Sequence, residues 1–257
     1  MKSLNVLIAL DTKESRTLDF VKQSKYLGRL YATIELEGAV EVSFNTFQEL
    51  AQKCKALKVD IVIAENEKWI LQGIADVLRK NFVNCIALSS RANELILSDN
   101  YELLNKYDIL TPKKLLYPSK FPVAVRTKGI CRAGNSLEEI IEIRKEIAKQ
   151  SEELAQNIYL EEFIDGEHVN LISLFDGKNL LSFTDNELER EYSAKLHNLL
   201  VKEKFEFIGF LNSKLILADN KVYCIGFSSD FSGLRTDIDF IYLLDCAIYQ
   251  KLNEICI

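Results

Sequence analysis

Residues 159–183, Y-L-E-E-F-I-D-G-E-H-V-N-L-I-S-L-F-D-G-K-N-L-L-S-F, decide how the second half of the chain is read. Three short apolar runs are separated by two pairs, Asp165-Gly166 and Asp176-Gly177. Asp-Gly tolerates φ > 0 and marks tight turns between strands. The spacing predicts a three-stranded antiparallel meander. Val169, Leu171, Ser173 and Phe175 alternate with Asn170, Ile172, Leu174 and Asp176, so one face is only partly apolar. Glu161 and Glu162 close the first run beside Phe163 and Ile164. A strand end of this kind offers main-chain N–H and C=O groups next to carboxylates, which suits an adenine and a ribose. An ordinary hairpin with solvated acids fits the same residues.

Upstream of that stretch, prolines at 112, 118 and 122 mark a linker. Residues 121–126 read as a strand with Pro122 near its start, a tolerated place. Gly129 to Asn135 carries two glycines and reads as a mobile loop. Ser136 with Glu139 three residues later is a capping box, opening a long helix to about Ser151. Downstream, residues 187–204 form a charged helical pattern, and residues 207–218 and 222–227 a hairpin turned by Asp219-Asn220. Residues 240–252 are apolar almost all round, the pattern of a helix inside the core. Asp237 and Asp239, two apart before it, are either a metal pair or its cap, and capping is the commoner use.

The first half has a different rhythm. Residues 4–10 are a continuous apolar run, as in a buried parallel strand. No glycine lies between Leu10 and Tyr26, so the loop after this strand lacks the usual means of bringing its backbone against a phosphate. Residues 40–44 read as a second strand. Phe47, Leu50, Ala51, Cys54 and Leu57 share one helix face. Residues 59–64 are a third strand, rich in β-branched side chains. Glu65, Asn66 and Glu67 form a polar loop at its C-terminal end, where open α/β sheets carry ligands. Trp69, Ile70, Ile74, Val77 and Leu78 give the next helix its apolar face, residues 84–88 are a fourth strand, and residues 90–107 are helical in pattern. This β-α-β alternation implies an open sheet with helices on both faces.

Composition sets the bounds. At 257 residues, 48% hydrophobic and 27% charged, the chain is an ordinary globular protein with room for one large domain or two smaller ones. A net charge of -6 argues against broad nucleic-acid binding. No run of eighteen apolar residues occurs, so no membrane span is expected. The N-terminus reads as a first strand rather than a signal peptide. Cys54, Cys85, Cys131, Cys224, Cys246 and Cys256 are scattered without a C-x-x-C pair, the usage of reduced thiols in the cytoplasm. His168 and His197 stand in no metal-ligand spacing.

Several segments, in one order, resemble phosphoribosylamine–glycine ligase (glycinamide ribonucleotide synthetase), of the ATP-grasp superfamily. Residues 60–79, D-I-V-I-A-E-N-E-K-W-I-L-Q-G-I-A-D-V-L-R, are similar to that family's D-x-V-V-[IV]-G-P-E-x-P-L-x-x-G-[IL]-x-D. Residues 95–112 resemble its L-E-x-S-K-x-F, helix and H-x-I-P-T-A, and residues 121–134 its P-x-V-[VI]-K-A-D-G lid strand and glycine loop. Residues 161–178 resemble E-E-[FY]-L-x-G-x-E with the strand ending in D-G-K. Residues 208–211 resemble Y-x-G-[FV]-L-Y, and residues 223–237 the E-F-N segment. The resemblance implies a Rossmann-like N-terminal domain over residues 1–92. An ATP-grasp-like α+β domain would follow over residues 93–257, with a small β lid at about 113–183. It implies ATP as cofactor, the hinge carboxylates Glu161 and Glu162 with Phe163 and the Ile164 backbone at adenine, Glu167 at the ribose and Arg126 at a phosphate. Glu65, Asn66 and Glu67 stand where the family has its substrate loop.

The departures fall on the phosphate and metal groups. The glycine-rich first loop is here D-T-K-E-S-R, residues 11–16. The lysine of S-K is Asp99 and the lid lysine is Arg126. The Glu and Asn that carry magnesium in the family correspond to Gly226 and Ser228, which argues against Mg2+ here. The resemblance ends at Ile257, short of the family's C-terminal domain. Three functions follow as expectations: a catalytically impaired ATP-dependent carboxylate–amine ligase, a non-catalytic nucleotide- or metabolite-binding module, or a structural partner of another polypeptide.

Overall fold

A computed structural model of the chain describes residues 2–15, 17–97, 100–127 and 130–255. The described chain divides into two compact units. Unit 1 holds residues 1–100, 170–214 and 226–257, and unit 2 holds residues 101–169 and 215–225.

In unit 1, strands β1 (Leu4–Ala9), β2 (Leu27–Ala32), β3 (Val40–Glu41), β4 (Ile61–Ala64) and β5 (Cys85–Ile86) form a parallel sheet in the order β3-β2-β1-β4-β5. Helices α1 (Leu18–Gln23), α2 (Phe47–Ala56), α3 (Glu67–Leu71), α4 (Ile74–Lys80) and α5 (Glu94–Leu97) connect and follow the strands. Central strands β1 and β4 are buried almost throughout, as their continuous apolar runs require. The second strand is a correction: β2 lies at 27–32, and the run expected at 40–44 supplies only the two-residue edge β3. Gly28 and Arg29 are exposed at the start of β2, which hides its apolar half from a periodicity reading. The helix expected over residues 90–107 is broken into α5 and α6 (Tyr101–Lys106), with Ser98 and Asp99 outside the described residues.

In unit 2, α6 is followed by β6 (Lys114–Leu115), β7 (Val123–Thr127), β8 (Ile130–Gly134), α7 (Leu137–Gln150), α8 (Glu152–Gln156) and β9 (Tyr159–Glu162). Their antiparallel sheet has the order β6-β9-β7-β8. One face packs Val125 and Leu160 against Ile143 and Ile147 of α7 and Ala155 of α8. The loop expected at Gly129–Asn135 is in fact the edge strand β8 from Ile130, and Gly129 lies outside the described residues. Its Cys131, Arg132 and Ala133 are exposed, so it carries little of the alternation that announces a strand. Ser136 caps α7 by accepting from the Glu139 N–H at 3.2 Å. Glu139 in turn accepts from the Asn135 N–H at 2.8 Å, one residue earlier than the capping box predicts.

A third sheet has the order β11-β10-β12-β13, formed by β10 (Glu167–Phe175), β11 (Leu180–Ser182), β12 (Gly209–Ala218) and β13 (Lys221–Ser228). Residues 170–175, 180–182, 209–214 and 226–228 of these strands belong to unit 1. Two helices complete the chain, α9 (Glu187–Lys202) and α10 (Phe240–Ile248), and α10 lies in the unit 1 core with Phe240, Ile241, Leu243, Leu244 and Ala247 buried. The expected three-stranded meander is corrected: β9 pairs with β6 and β7, and only β10 and β11 form a hairpin. The two Asp-Gly pairs differ accordingly. Gly177 has φ of 88° in a tight turn, where Asp176 Oδ1 accepts from the Lys178 and Asn179 N–H groups at 2.8 and 2.5 Å. Gly166 makes no hairpin turn, and a Cβ there would run into the Leu217 carbonyl oxygen, so its glycine answers a close backbone approach. The hairpin of β12 and β13 turns on Asp219 and Asn220, both at positive φ, as expected.

Candidate nucleotide site

Arg126 on β7 and Glu161 on β9 share the sheet face away from α7. The register places Ala124 opposite Glu161 and Arg126 opposite Tyr159, so the guanidinium and the carboxylate are diagonal neighbours. Arg126 Nε lies 3.1 Å from Glu161 Oε2, with the two side chains 13% and 0% exposed. Nε is not aligned to donate a hydrogen bond, so this is a Coulombic contact rather than a two-pronged fork. Arg126 Nη1 donates to the Ile225 carbonyl at 2.5 Å and lies 3.3 Å from the Tyr101 hydroxyl. Burial works against the guanidinium's charge, and the Glu161 carboxylate together with Tyr101, Cys131 and Tyr159 more than offsets it, holding Arg126 above its ordinary pKa. Burial likewise pushes the Tyr101 phenol up, with Arg126 pulling the other way. Lys114, opposite Glu161 on β6, places its Nζ 4.5 Å from the Tyr159 ring centre and 5.5 Å from that of Tyr101.

The rest of the expected hinge follows directly in the chain. Glu162 alternates to the opposite face from Glu161, and its N–H donates to the Lys113 carbonyl at 2.9 Å. Phe163 is exposed and Ile164 half-buried. The main-chain N–H and C=O groups of Phe163 and Ile164 have no hydrogen-bond partner among the described residues. These are the groups an adenine edge would meet, so the residues present fit the base of ATP. Glu167 is exposed at the first position of β10. Sequence reasoning named Arg126 and Glu161 but missed their contact, and it missed Tyr101, Lys114, Tyr159 and the Ile225 carbonyl. Strand register brings these together, and no local motif encodes it.

The expected substrate loop lies in unit 1, at the C-terminal ends of β1 and β4. A cleft of about 300 Å³ is lined there by residues that include Asp11, Thr12, Glu14, Glu65 and Glu67. Glu65 is turned inward. Its Oε1 accepts from Ser15 Oγ at 3.0 Å, from the Thr17 N–H at 3.0 Å and from the Thr17 hydroxyl. Asn66 caps α3 by accepting from the Trp69 N–H at 2.8 Å. Glu67 remains exposed at the rim. Two of the three loop residues thus hold local structure.

At the two positions where the resemblance would put magnesium ligands, the residues do not fit the ion. Gly226 has no side chain, and Ser228 offers a hydroxyl where a hard cation takes carboxylate oxygens. Among the described residues no group of three or more His, Cys, Asp and Glu side chains could hold a metal. Asp239 is the cap of α10, accepting from the Tyr242 N–H at 3.2 Å and from Ser24 Oγ at 2.6 Å. No helix among the described residues is long and apolar enough to cross a membrane.

This architecture, a parallel α/β sheet with two further sheets and a small β subdomain, is an ATP-grasp fold, shared with solved structures of that class. Phosphoribosylamine–glycine ligase from Thermotoga maritima superposes with a TM-score of 0.67 at 14% identity, over 97% of this chain and 75% of that one. The biotin carboxylase domain of Hydrogenobacter thermophilus 2-oxoglutarate carboxylase, solved with MgADP and bicarbonate, has a TM-score of 0.67 at 11% identity, over 96% of this chain and 70% of that one. In sequence the chain is similar to the phosphoribosylamine–glycine ligase of Fusobacterium nucleatum, 20% identical over 86% of this chain. It spans 66% of that enzyme's length. No protein-family model matches the chain. The resemblance read from the motifs is therefore matched by a curated relative, and fold and sequence together support an ATP-dependent ligase ancestry.

Proposed function

We propose that this chain is a ligase-derived ATP-grasp protein of purine-biosynthesis ancestry. It binds the adenosine part of a nucleotide beside β9 and does not carry out carboxylate–amine ligation. The observation behind this reading is the commitment of Arg126. Making an acyl phosphate from ATP and a carboxylate requires cations and a metal on the transferring phosphoryl group. Arg126 stands at the one lid position where the resemblance leaves a cation, and its guanidinium is held by Glu161 and the Ile225 carbonyl. Gly226 and Ser228 supply no metal carboxylate. Loss of a single electrostatic stabiliser costs on the order of a hundredfold in rate or more, and here the losses accumulate.

The test is release of ADP from MgATP in the presence of glycine and phosphoribosylamine. No release above the protein-free background is expected, while calorimetry detects adenosine. Turnover that disappears in Arg126→Ala would overturn the reading and show that a rearranged site does the chemistry. Restoring the metal position by Gly226→Glu is not a clean complement. Gly226 has φ of 148°, which a side chain adopts only with strain, although the space beside it is open. The five described cysteines are free thiols, which agrees with a cytoplasmic placement.

A second reading, a partner for another polypeptide, has one observation in its favour. Leu116, Tyr117 and Phe121, between β6 and β7, are 98%, 73% and 41% exposed. Light scattering of the pure protein and of cell extracts supplemented with it separates the two readings.

A further inference from the structure

We propose that Glu161 sets the ligand class of the site. By neutralising Arg126 it makes the site take a nucleoside in preference to a polyphosphate. The inference rests on the reading that the strand end beside β9 receives a base, and it adds what that site does with charge.

Among the described residues the polar face of the unit 2 sheet carries one buried cation, and it already faces a carboxylate at 3.1 Å. A phosphate approaching Arg126 must displace that carboxylate or share the guanidinium with it. Sharing brings two anions together where water is scarce and screening weak. Displacement leaves Glu161, fully buried, beside a triphosphate. Either way the ligand's charge is opposed.

An adenine meets none of this. The Phe163 and Ile164 main-chain groups lie past the end of β9 and carry no net charge. Lys114 is a second cation on this face, and it lies against the Tyr159 and Tyr101 rings. The Arg126–Glu161 contact is also a single misaligned approach, so Glu161 governs Arg126 by charge rather than by a fixed geometry. Removing the charge while keeping the shape should therefore release the guanidinium to a ligand.

The experiment is calorimetric titration of adenosine, ATP and inorganic tripolyphosphate into the whole chain, Glu161→Gln, and the double variant Glu161→Gln with Arg126→Gln. Wild type should bind adenosine at least as tightly as ATP and not bind tripolyphosphate. Glu161→Gln should gain about tenfold or more for ATP relative to adenosine and begin to bind tripolyphosphate. The double variant should lose that gain.

A folded Glu161→Gln whose ATP and tripolyphosphate affinities match wild type overturns the proposal. So does wild type binding ATP far more tightly than adenosine. If tripolyphosphate responds as expected but adenosine binds no variant, the base-binding reading fails and the control of Arg126 by Glu161 stands. Should Glu161→Gln not fold, tripolyphosphate is titrated into wild type and followed at the Arg126 Nε–H resonance. An unmoved signal supports the proposal, and a saturable shift overturns it.

Discussion

Glu161 in unit 2 and Glu65 in unit 1 are both buried carboxylates near the end of a strand, and their surroundings satisfy them by different means. Glu161 faces a guanidinium on the neighbouring strand, and strand register alone aligns the two. Glu65 accepts from two hydroxyls and a main-chain N–H contributed by one short loop. The first arrangement is a balance of charge, and a ligand's charge can shift it. The second fixes the path of the chain into α1, and a ligand has nothing to exchange with it. Both positions drew notice in the sequence because each ends a strand beside polar residues. Only the partners tell which one can respond to a ligand.

The largest expected effect comes from breaking the charge balance. Arg126→Ala leaves Glu161 buried without its cation and should destabilise the chain by about 3–5 kcal/mol, read from urea unfolding. Replacing both members, Arg126→Met with Glu161→Leu, should recover most of that loss, because no uncompensated charge remains. A cost for Arg126→Ala within the scatter of a surface substitution would mean that water reaches the pair, and the contrast with Glu65 would vanish.

Glu65→Ala comes next. It removes the acceptor of the Ser15 and Thr17 hydroxyls and leaves the Thr17 N–H only Ser15 Oγ at 3.3 Å, which should cost about 2 kcal/mol. Faster hydrogen exchange at the Thr17 and Leu18 amides should accompany the loss, since Ser15 Oγ also accepts from the Leu18 N–H at 3.0 Å. Glu65→Gln keeps an acceptor oxygen and should lose less. Equal losses for Glu65→Gln and Glu65→Ala would show that the negative charge matters more than the hydrogen bonds, as it does for Glu161.

The sequence made the central strands legible because β1 and β4 are buried on both faces and read as unbroken apolar runs. It made the β12–β13 turn legible because Asp219 and Asn220 tolerate positive φ. It misled at Asp165-Gly166, where the same dipeptide that turns a hairpin at 176–177 serves a close backbone approach. That distinction depends on Leu217, 51 positions further on, and no local pattern contains it. The site followed the same division. Glu161 and Arg126 could be named from resemblance, but their pairing is a matter of register between β7 and β9.

A third carboxylate sharpens the comparison, with burial against it and only more distant charges, Lys251 in its favour and Asp60 against it. Asp245 sits in the last turn of α10, and its side chain has no hydrogen bond or ion pair among the described residues. Burial raises its pKa above the ordinary value. It also lies at the negative end of the helix dipole, where a carboxylate is unfavourable. Above the folded-state pKa the group is ionised in both folded and unfolded chains, and the folded chain bears the whole penalty. As pH falls through that raised pKa, the folded chain takes up the proton first and the penalty shrinks. It is gone below the unfolded value. Asp245→Asn should therefore stabilise the protein by about 0.5 kcal/mol at neutral pH. Melting curves of the two proteins should converge as pH is lowered into the carboxylate range. Curves that diverge on acidification would mean that Asp245 has a favourable partner when charged, which would place it with Glu161 rather than apart from both.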